Sequence, residues 1–454
     1  MGPGIYDAAV RICGATPEVM EAMQTSITES QYQHPDAKIA ESILRSCVHC
    51  GFCNATCPTY LLRGVEQEGP RGRIYLIKSL LEGRISHTQN VVEHLDNCLS
   101  CLACETTCPS GVRYGHLIDS ARERIESTYR RPRRERMQRK MLAMLLPFPR
   151  RLRAAMRLGR RAKVLSFLAP AGQRALLKMI PARLPRPSAL TRPGVRPAEG
   201  RRRARVALLT GCAQQVMGPD INDATIRLLN RLGCDVVLPP GLGCCGALVY
   251  HMGNHARGLP LMKKIIDLWH AELEGGGLDH IVINTSGCGV VVKDYGHIFR
   301  DDPEYAEKAA RVAEITKDIS EVLLVLEPGA LPAASSVALR VAYHDACSLL
   351  HGQRIRSQPR ELLQSAGFEV VDIPEGHLCC GSAGTYNLLK PDTAAELGRM
   401  KAAAVASVTP QAVAMGNIGC MEQIAMHSTI PVVHTVQLLD WATGGPKPAA
   451  LDSV

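Results

Sequence analysis

Apolar and polar positions change rhythm twice along this chain. From Gly72 to Gly83, Ile74, Leu76, Ile77, Leu80 and Leu81 recur at helical spacing, and residues 112–130 also read as helix. Residues 1–40 carry few turn signals and read as a helical lead, with Cys13 as a core thiol. From residue 131 to 204 arginine and proline take over, which predicts a linker with short helices; Leu152, Ala155, Met156 and Gly159 share one helical face there, whereas Leu158, Val164 and Leu168 fall off it. Beyond Arg205, short apolar runs alternate with helical stretches: VALLT at 206–210, DVVLP at 235–239 and IVIN at 281–284, then VAYHD at 341–345, FEVVDIP at 368–374 and AVAM at 412–415. Such alternation predicts βα units on a parallel sheet, made twice.

Cysteine positions make the duplication countable. Cys212 is followed after 31 residues by Cys244-Cys245-Gly246 and after 41 more by Cys288; Cys347 is followed after 31 residues by Cys379-Cys380-Gly381 and after 38 more by Cys420. The repeated first spacing around a paired CCG marks two copies of one unit. Upstream stand two further runs, Cys47, Cys50, Cys53, Cys57-Pro58 and Cys98, Cys101, Cys104, Cys108-Pro109, both spaced C-x2-C-x2-C-x3-C-P. The chain holds 18 cysteines in 454 residues, and no start with the pattern of a secretory signal is seen, so disulfides are not expected and a cytoplasmic location is.

The C-x2-C-x2-C-x3-C-P spacing belongs to bacterial ferredoxins with two cubane clusters. Two-residue gaps let one loop aim three thiolates at three irons of a cube, and the fourth cysteine serves the other cube. Cluster one would then use Cys47, Cys50, Cys53 and Cys108, and cluster two Cys98, Cys101, Cys104 and Cys57. Zinc ribbons use separated pairs instead and fit this spacing poorly. The eight remaining repeat cysteines, Cys212, Cys244, Cys245, Cys288, Cys347, Cys379, Cys380 and Cys420, are candidates for additional metal or redox sites at the carboxyl edge of each sheet. Three readings stay open for them: further iron–sulfur clusters, zinc or redox-active thiols, and core thiols. Glycines 246, 287, 289, 381, 384 and 419 would let backbone approach a cluster closely, and His49, His251, His344 and His377 lie near enough in sequence to tune or ligate one. Cys234, outside the repeat, reads as packing.

Charge adds one feature. Residues 131–205 hold 23 Arg or Lys against Glu135 and Glu199, a local +21, so with a net +10 the remainder carries −11. With only 18 aromatic residues and the positive charge confined to a connector, nucleic acid is not an expected partner. The longest uncharged stretch, between Lys401 and Glu422, contains Pro410, Gln411 and Asn417 and is no membrane span, which leaves peripheral contact through the arginines. No Ser-His-Asp arrangement, P-loop or nucleotide fingerprint appears, so the residues point to electron transfer with no catalytic residues for an organic substrate.

CVHCGFCNATCPTY at 47–60, GPRGRIYLIK at 69–78, CLACETTCPSGVRYGHL at 101–117, LLTGCAQ at 208–214, GCCGALVYH at 243–251, TSGCG at 285–289 and HLCCGSAGTYNL at 377–388 together resemble the iron–sulfur subunits of bacterial glycolate oxidase, over nearly all of residues 42–441. The resemblance implies a multidomain α + α/β chain: lead 1–40, helical dicluster [4Fe-4S] ferredoxin-type domain 41–130, basic linker 131–204, parallel-sheet CCG modules 205–335 and 336–445, and tail 446–454. It also implies a complex that oxidises glycolate, and often D-lactate, on an FAD-binding catalytic subunit beside a second FAD-binding-type subunit. This chain would relay the electrons to a quinone or respiratory-chain acceptor. The alternative is the corresponding subunit of a D-lactate or anaerobic glycerol-3-phosphate dehydrogenase complex. The CCG modules are also similar to those of heterodisulfide reductase, whose repeat ends in C-x-x-C; here Thr285 and Asn417 replace the first of those cysteines, which argues against five-cysteine noncubane clusters.

Overall fold

A computed structural model describes residues 23–33, 36–163, 181, 184–327, 331 and 339–452. Cys13 with most of the predicted lead, and Val164 and Leu168 of the linker, lie outside these residues. The chain divides into two units, residues 1–132 with 251–254 and 377–379, and the remainder.

The first unit is helical. Its elements are α1 (Ala37–Arg45), α2 (Pro58–Arg63), α3 (Pro70–Leu81), α4 (Gln89–Asp96), α5 (Ala103–Thr107) and α6 (Tyr114–Thr128). Proline opens α2 and α3 at a position whose N–H no helix would use. Thr88 caps α4 by accepting from the Val91 N–H at 3.4 Å. Leu44, Ile74, Ile77, Leu95, Leu117 and Ile125 pack into one core, to which Cys47, Cys98 and Cys104 also belong. The helices predicted over 72–83 and 112–130 are therefore α3 and α6, each displaced by about one half-turn or less.

The second unit begins with two helices from the arginine-rich stretch, α7 (Arg133–Leu145) and α8 (Pro149–Ala162). On α8 the predicted face is real: Leu152 and Met156 are buried against Val216, while Leu158 stays exposed. Then come β1 (Gly194–Arg196), β2 (Ala204–Leu209), α9 (Pro219–Arg231), β3 (Cys234–Leu238), α10 (His255–Gly276), β4 (His280–Ile283), α11 (Ser286–Lys293), α12 (Ala306–Ile315), β5 (Thr316–Asp318) and α13 (Ile319–Leu326). The second copy supplies β6 (Arg340–Tyr343), α14 (Gln358–Ser365), β7 (Glu369–Asp372), α15 (Pro391–Ser407), β8 (Ala412–Met415), α16 (Ile418–Ala425), β9 (Val432–His434) and α17 (Thr435–Ala442).

The sheets run β1-β3-β2-β4-β5 and β7-β6-β8-β9. Apart from β1 they have one topology, with every pair parallel. β1 is an antiparallel addition on the edge, Gly194 opposite Leu238, and comes from the stretch read as linker. The two copies share a core: Val206, Leu228 and Val236 of the first lie in one apolar cluster with Val341, Leu363 and Leu439 of the second. α9 packs on α17 and α13 on α14, so the first and last helices of one copy meet the last and first helices of the other, as in a two-fold symmetric dimer. At that seam Asp440, 1% exposed, accepts from Arg227 and Arg231, both at 2.5 Å. Cys234 is fully buried in the shared core, and burial pushes its thiol up to about 11, as a packing cysteine requires.

Candidate metal centres

In the first unit the two cysteine loops have the same backbone. His49 and Gly51 take positive φ (54° and 83°) in the first loop, and Ser100 and Leu102 (49° and 62°) take it at the matching places in the second. Alternating right- and left-handed residues turn successive N–H groups inward, which makes a nest for negative charge. One such N–H, from Ser100, lies 3.4 Å from the Cys98 sulfur, and the Val112 N–H lies 3.5 Å from that of Cys108.

These loops line two hollows. One is lined by Cys47, Cys50, Cys53 and Cys108, with Cys104 at its wall. The other is lined by Cys57, Cys98, Cys101 and Cys104. Burial, then the neighbouring thiols Cys47, Cys50 and Cys108, push Cys53 up to about 12, and burial with Cys101 and Cys98 pushes Cys104 well above the ordinary thiol range. Four thiols crowded this way do not ionise together without cations between them. The donor set and the inward N–H groups both fit an iron–sulfur cube in each hollow.

Beside the second hollow lies a buried charge network that the cysteine spacing does not announce. Arg73, 1% exposed, donates to the His94 carbonyl (2.7 Å), Glu68 Oε2 (2.9 Å) and Thr59 Oγ1 (3.0 Å), and its Nη1 lies 3.9 Å from the Cys57 sulfur. Glu68 in turn meets His94 Nδ1 at 2.7 Å and accepts from Asn97 at 2.9 Å. Burial alone would pull the Arg73 guanidinium down, but Cys98, Tyr114, Cys57 and Glu68 around it hold it up. The rest of GPRGRIYLIK serves the same corner. A Cβ at Gly72 would stand 2.1 Å from the Glu66 carbonyl oxygen, and Arg71 grips Glu66 at 2.6 Å.

In each CCG module the cysteines gather at the carboxyl ends of the first and third parallel strands, β2 and β4 or β6 and β8, where strand order reverses and open α/β sheets bind ligands. In the first module the four thiols form a chain of contacts, Cys212 to Cys244, Cys244 to Cys245 and Cys245 to Cys288. Contacts with Cys212 and Cys245 push the Cys244 thiol well up, and contact with Cys245 and burial do the same for Cys288. The Gly246 N–H lies 3.4 Å from the Cys244 sulfur. In the second module Cys380 and Cys420 are buried together with His344, their ligand atoms all within 4.8 Å of one another. Cys379 is buried as well, and Cys347 is half-buried three residues beyond His344.

The glycines expected to admit a cluster are also required by their protein neighbours. Gly246 (φ 80°) and Gly381 (φ 89°) press on the following helix: a Cβ would stand 2.9 Å from the Gly258 carbonyl and 2.8 Å from the Ala394 carbonyl, respectively. Likewise, a Cβ at Gly289 would meet Gln353 at 2.5 Å and one at Gly419 would meet Ser382 at 2.8 Å. Backbone packing against the following helix thus demands glycine at 246 and 381, whereas at 289 and 419 the neighbour is a side chain. The residues standing where heterodisulfide reductase has cysteine also have structural work. Asn417 caps α16 through Gly419 N–H at 2.8 Å and donates to Ser286 Oγ across the seam at 3.0 Å; Thr285 donates to Gln214.

Residues 43–112 match the 4Fe-4S dicluster domain family, and residues 206–293 and 341–425 match the cysteine-rich CCG domain family. The chain is 42% identical over 424 residues to the glycolate oxidase iron-sulfur subunit of Escherichia coli (strain K12), covering 92% of this chain and 99% of that one. It is 33% identical over 428 residues to the probable glycolate oxidase iron-sulfur subunit of Bacillus subtilis (strain 168), covering 90% and 96%. Lactate utilization protein A of Oceanobacillus iheyensis is 28% identical over 246 residues, 52% of this chain and 96% of that one. Among solved structures, a hypothetical protein from Helicobacter pylori shares the fold at a TM-score of 0.55 and 10% identity, over 93% of this chain and 75% of that one.

Proposed function

This chain belongs to the family of glycolate oxidase iron–sulfur subunits, and from that premise we propose that it relays electrons released when glycolate is oxidised to glyoxylate on an FAD-bearing partner. A second FAD-binding-type subunit completes the complex, and a quinone or respiratory-chain component accepts the electrons. The observation that carries this reading is the pair of hollows lined by crossed cysteine sets. Cys47, Cys50, Cys53 and Cys108 hold one cluster, and Cys98, Cys101, Cys104 and Cys57 the other. When bound, such clusters take up and pass single electrons, which lets a two-electron donor feed a one-electron path.

The chain's own residues set the conditions. Nest N–H groups and Arg73 offset the negative charge of the thiolates, and Cys47, Cys57, Cys98 and Cys104 are buried while the other four are partly exposed. Cys212, Cys244, Cys245 and Cys288 form a further metal or redox centre in the first module. The functional divisions fall at 41–130, 131–204, 205–335 and 336–445. The complex works on the cytoplasmic side of the inner membrane, held there through the arginine-rich stretch.

Cys53→Ser removes one ligand of the first cluster and no contact to a flavin. In the assembled complex it should abolish reduction of a quinone or dye acceptor while glycolate still reduces the flavin, as read by stopped-flow absorbance. Loss of flavin reduction as well would overturn the relay. A relative named for lactate utilization supports lactate as a second substrate to try in that assay, with D-lactate tested first and glycerol 3-phosphate as the contrasting substrate.

A further inference from the structure

The two modules are built to one plan, yet their sites differ in one donor. When Cys212 is set against Cys347, His344 falls at the place of Leu209, the last residue of β2, which is buried in the apolar core of the first module. His344 is 0% exposed, and neither ring nitrogen has a hydrogen-bond partner. A buried imidazole left so is costly. His434, equally buried in the same module, shows the ordinary solution: its Nε2 lies 2.8 Å from the Asn284 carbonyl and its Nδ1 accepts from the Val436 N–H at 3.1 Å.

What faces His344 is a pair of buried thiols. His344, Cys380 and Cys420 place their ligand atoms within 4.8 Å of one another, and no other His, Cys, Asp or Glu trio among the described residues does so. The ligands of a tetrahedral zinc ion stand about 3.5–3.8 Å apart. A cube carries its thiolates at outer corners, one per iron, and needs them more widely spread.

We propose that the second module holds one Zn²⁺ ion through His344, Cys380 and Cys420. Binding displaces the thiol protons of Cys380 and Cys420, transfers no electron, and ties the end of β6, the CCG loop and the first turn of α16 together. Cys347 is placed in sequence to complete the coordination. The inference goes beyond the electron relay and does not depend on it.

The test counts metals in the full chain after anaerobic purification and dialysis. About one zinc per chain is expected beside the iron of the ferredoxin clusters, with a zinc absorption-edge spectrum showing one nitrogen and two or three sulfurs. His344→Leu should lower zinc to less than about a fifth of that, with iron and the electron paramagnetic resonance of the reduced clusters unchanged. His344→Cys should keep zinc in an all-sulfur shell, which separates ligand loss from misfolding. Absence of zinc from the unaltered chain, or zinc unchanged in His344→Leu, would overturn the site, as would His344→Leu removing iron. Missing iron and cluster signals with zinc present would instead sink the relay and leave the zinc site standing.

Discussion

Arg73 keeps a full positive charge in a helix face that otherwise faces the core. The anions around it are Glu68 and, when clusters are bound, the ligand sulfurs of Cys57 and Cys98. Removing it strands Glu68, so Arg73→Ala should cost about 3–5 kcal/mol, visible as a lower urea midpoint. It should also move the reduction potential of the cluster proposed for the Cys57 site to more negative values, since a cation near the sulfur favours the electron-rich state. A redox titration followed by paramagnetic resonance checks this, and an unchanged potential would reduce Arg73 to a structural role. Cysteine spacing could be read directly because each loop is local. The Arg73–Glu68–His94 network could not, because its members meet only after α3 and α4 pack. A charge inside the apolar stripe of Ile74 and Ile77 was its one trace. His344 left a clearer one, since alignment of the two repeats sets it against a leucine.

Elements with several turns or a long apolar run were legible: α3, α6 and the strands β2, β3, β4, β6, β7 and β8 all lie within a residue or two of where periodicity puts them. β1, β5 and β9 have three residues each, too few to show a period, and they take strand form because a neighbouring edge offers hydrogen bonds. On α8 the charge run is divided by packing. Arg153 is drawn inward to the Gln215 carbonyl at 2.9 Å, while Arg150, Arg151, Arg157, Arg160 and Arg161 remain exposed. Among the described residues no helix is long and apolar enough to cross a membrane. Anionic lipid adds about 1 kcal/mol for each basic group held near its surface. The chain should therefore sediment with phosphatidylserine vesicles at low salt and leave them at high salt, and combined Arg157→Ala, Arg160→Ala and Arg161→Ala should weaken this at least tenfold. No sedimentation at low salt would end the membrane role of α8.

At the scale of the second unit, the shared core decides how the modules respond to damage. Trp269 is fully buried in the private core of the first module, and Trp441 packs at the edge of the shared core beside Phe368. The chain has two tryptophans, so Trp441→Phe and Trp269→Phe each leave a reporter for one module. Val405 lies in the core private to the second module, and Val405→Ala should cost about 2 kcal/mol. With one cooperative core, the urea midpoint seen by Trp269 should fall as far as that seen by Trp441; a fall seen by Trp441 alone would mean that the halves melt separately. The reciprocal pairing of first and last helices has a consequence of another kind. Had this arrangement been assembled from two identical short polypeptides, any substitution would have appeared on both sides of the axis at once. Joined end to end and encoded once each, the halves inherit their changes singly, and a leucine can stand opposite a histidine.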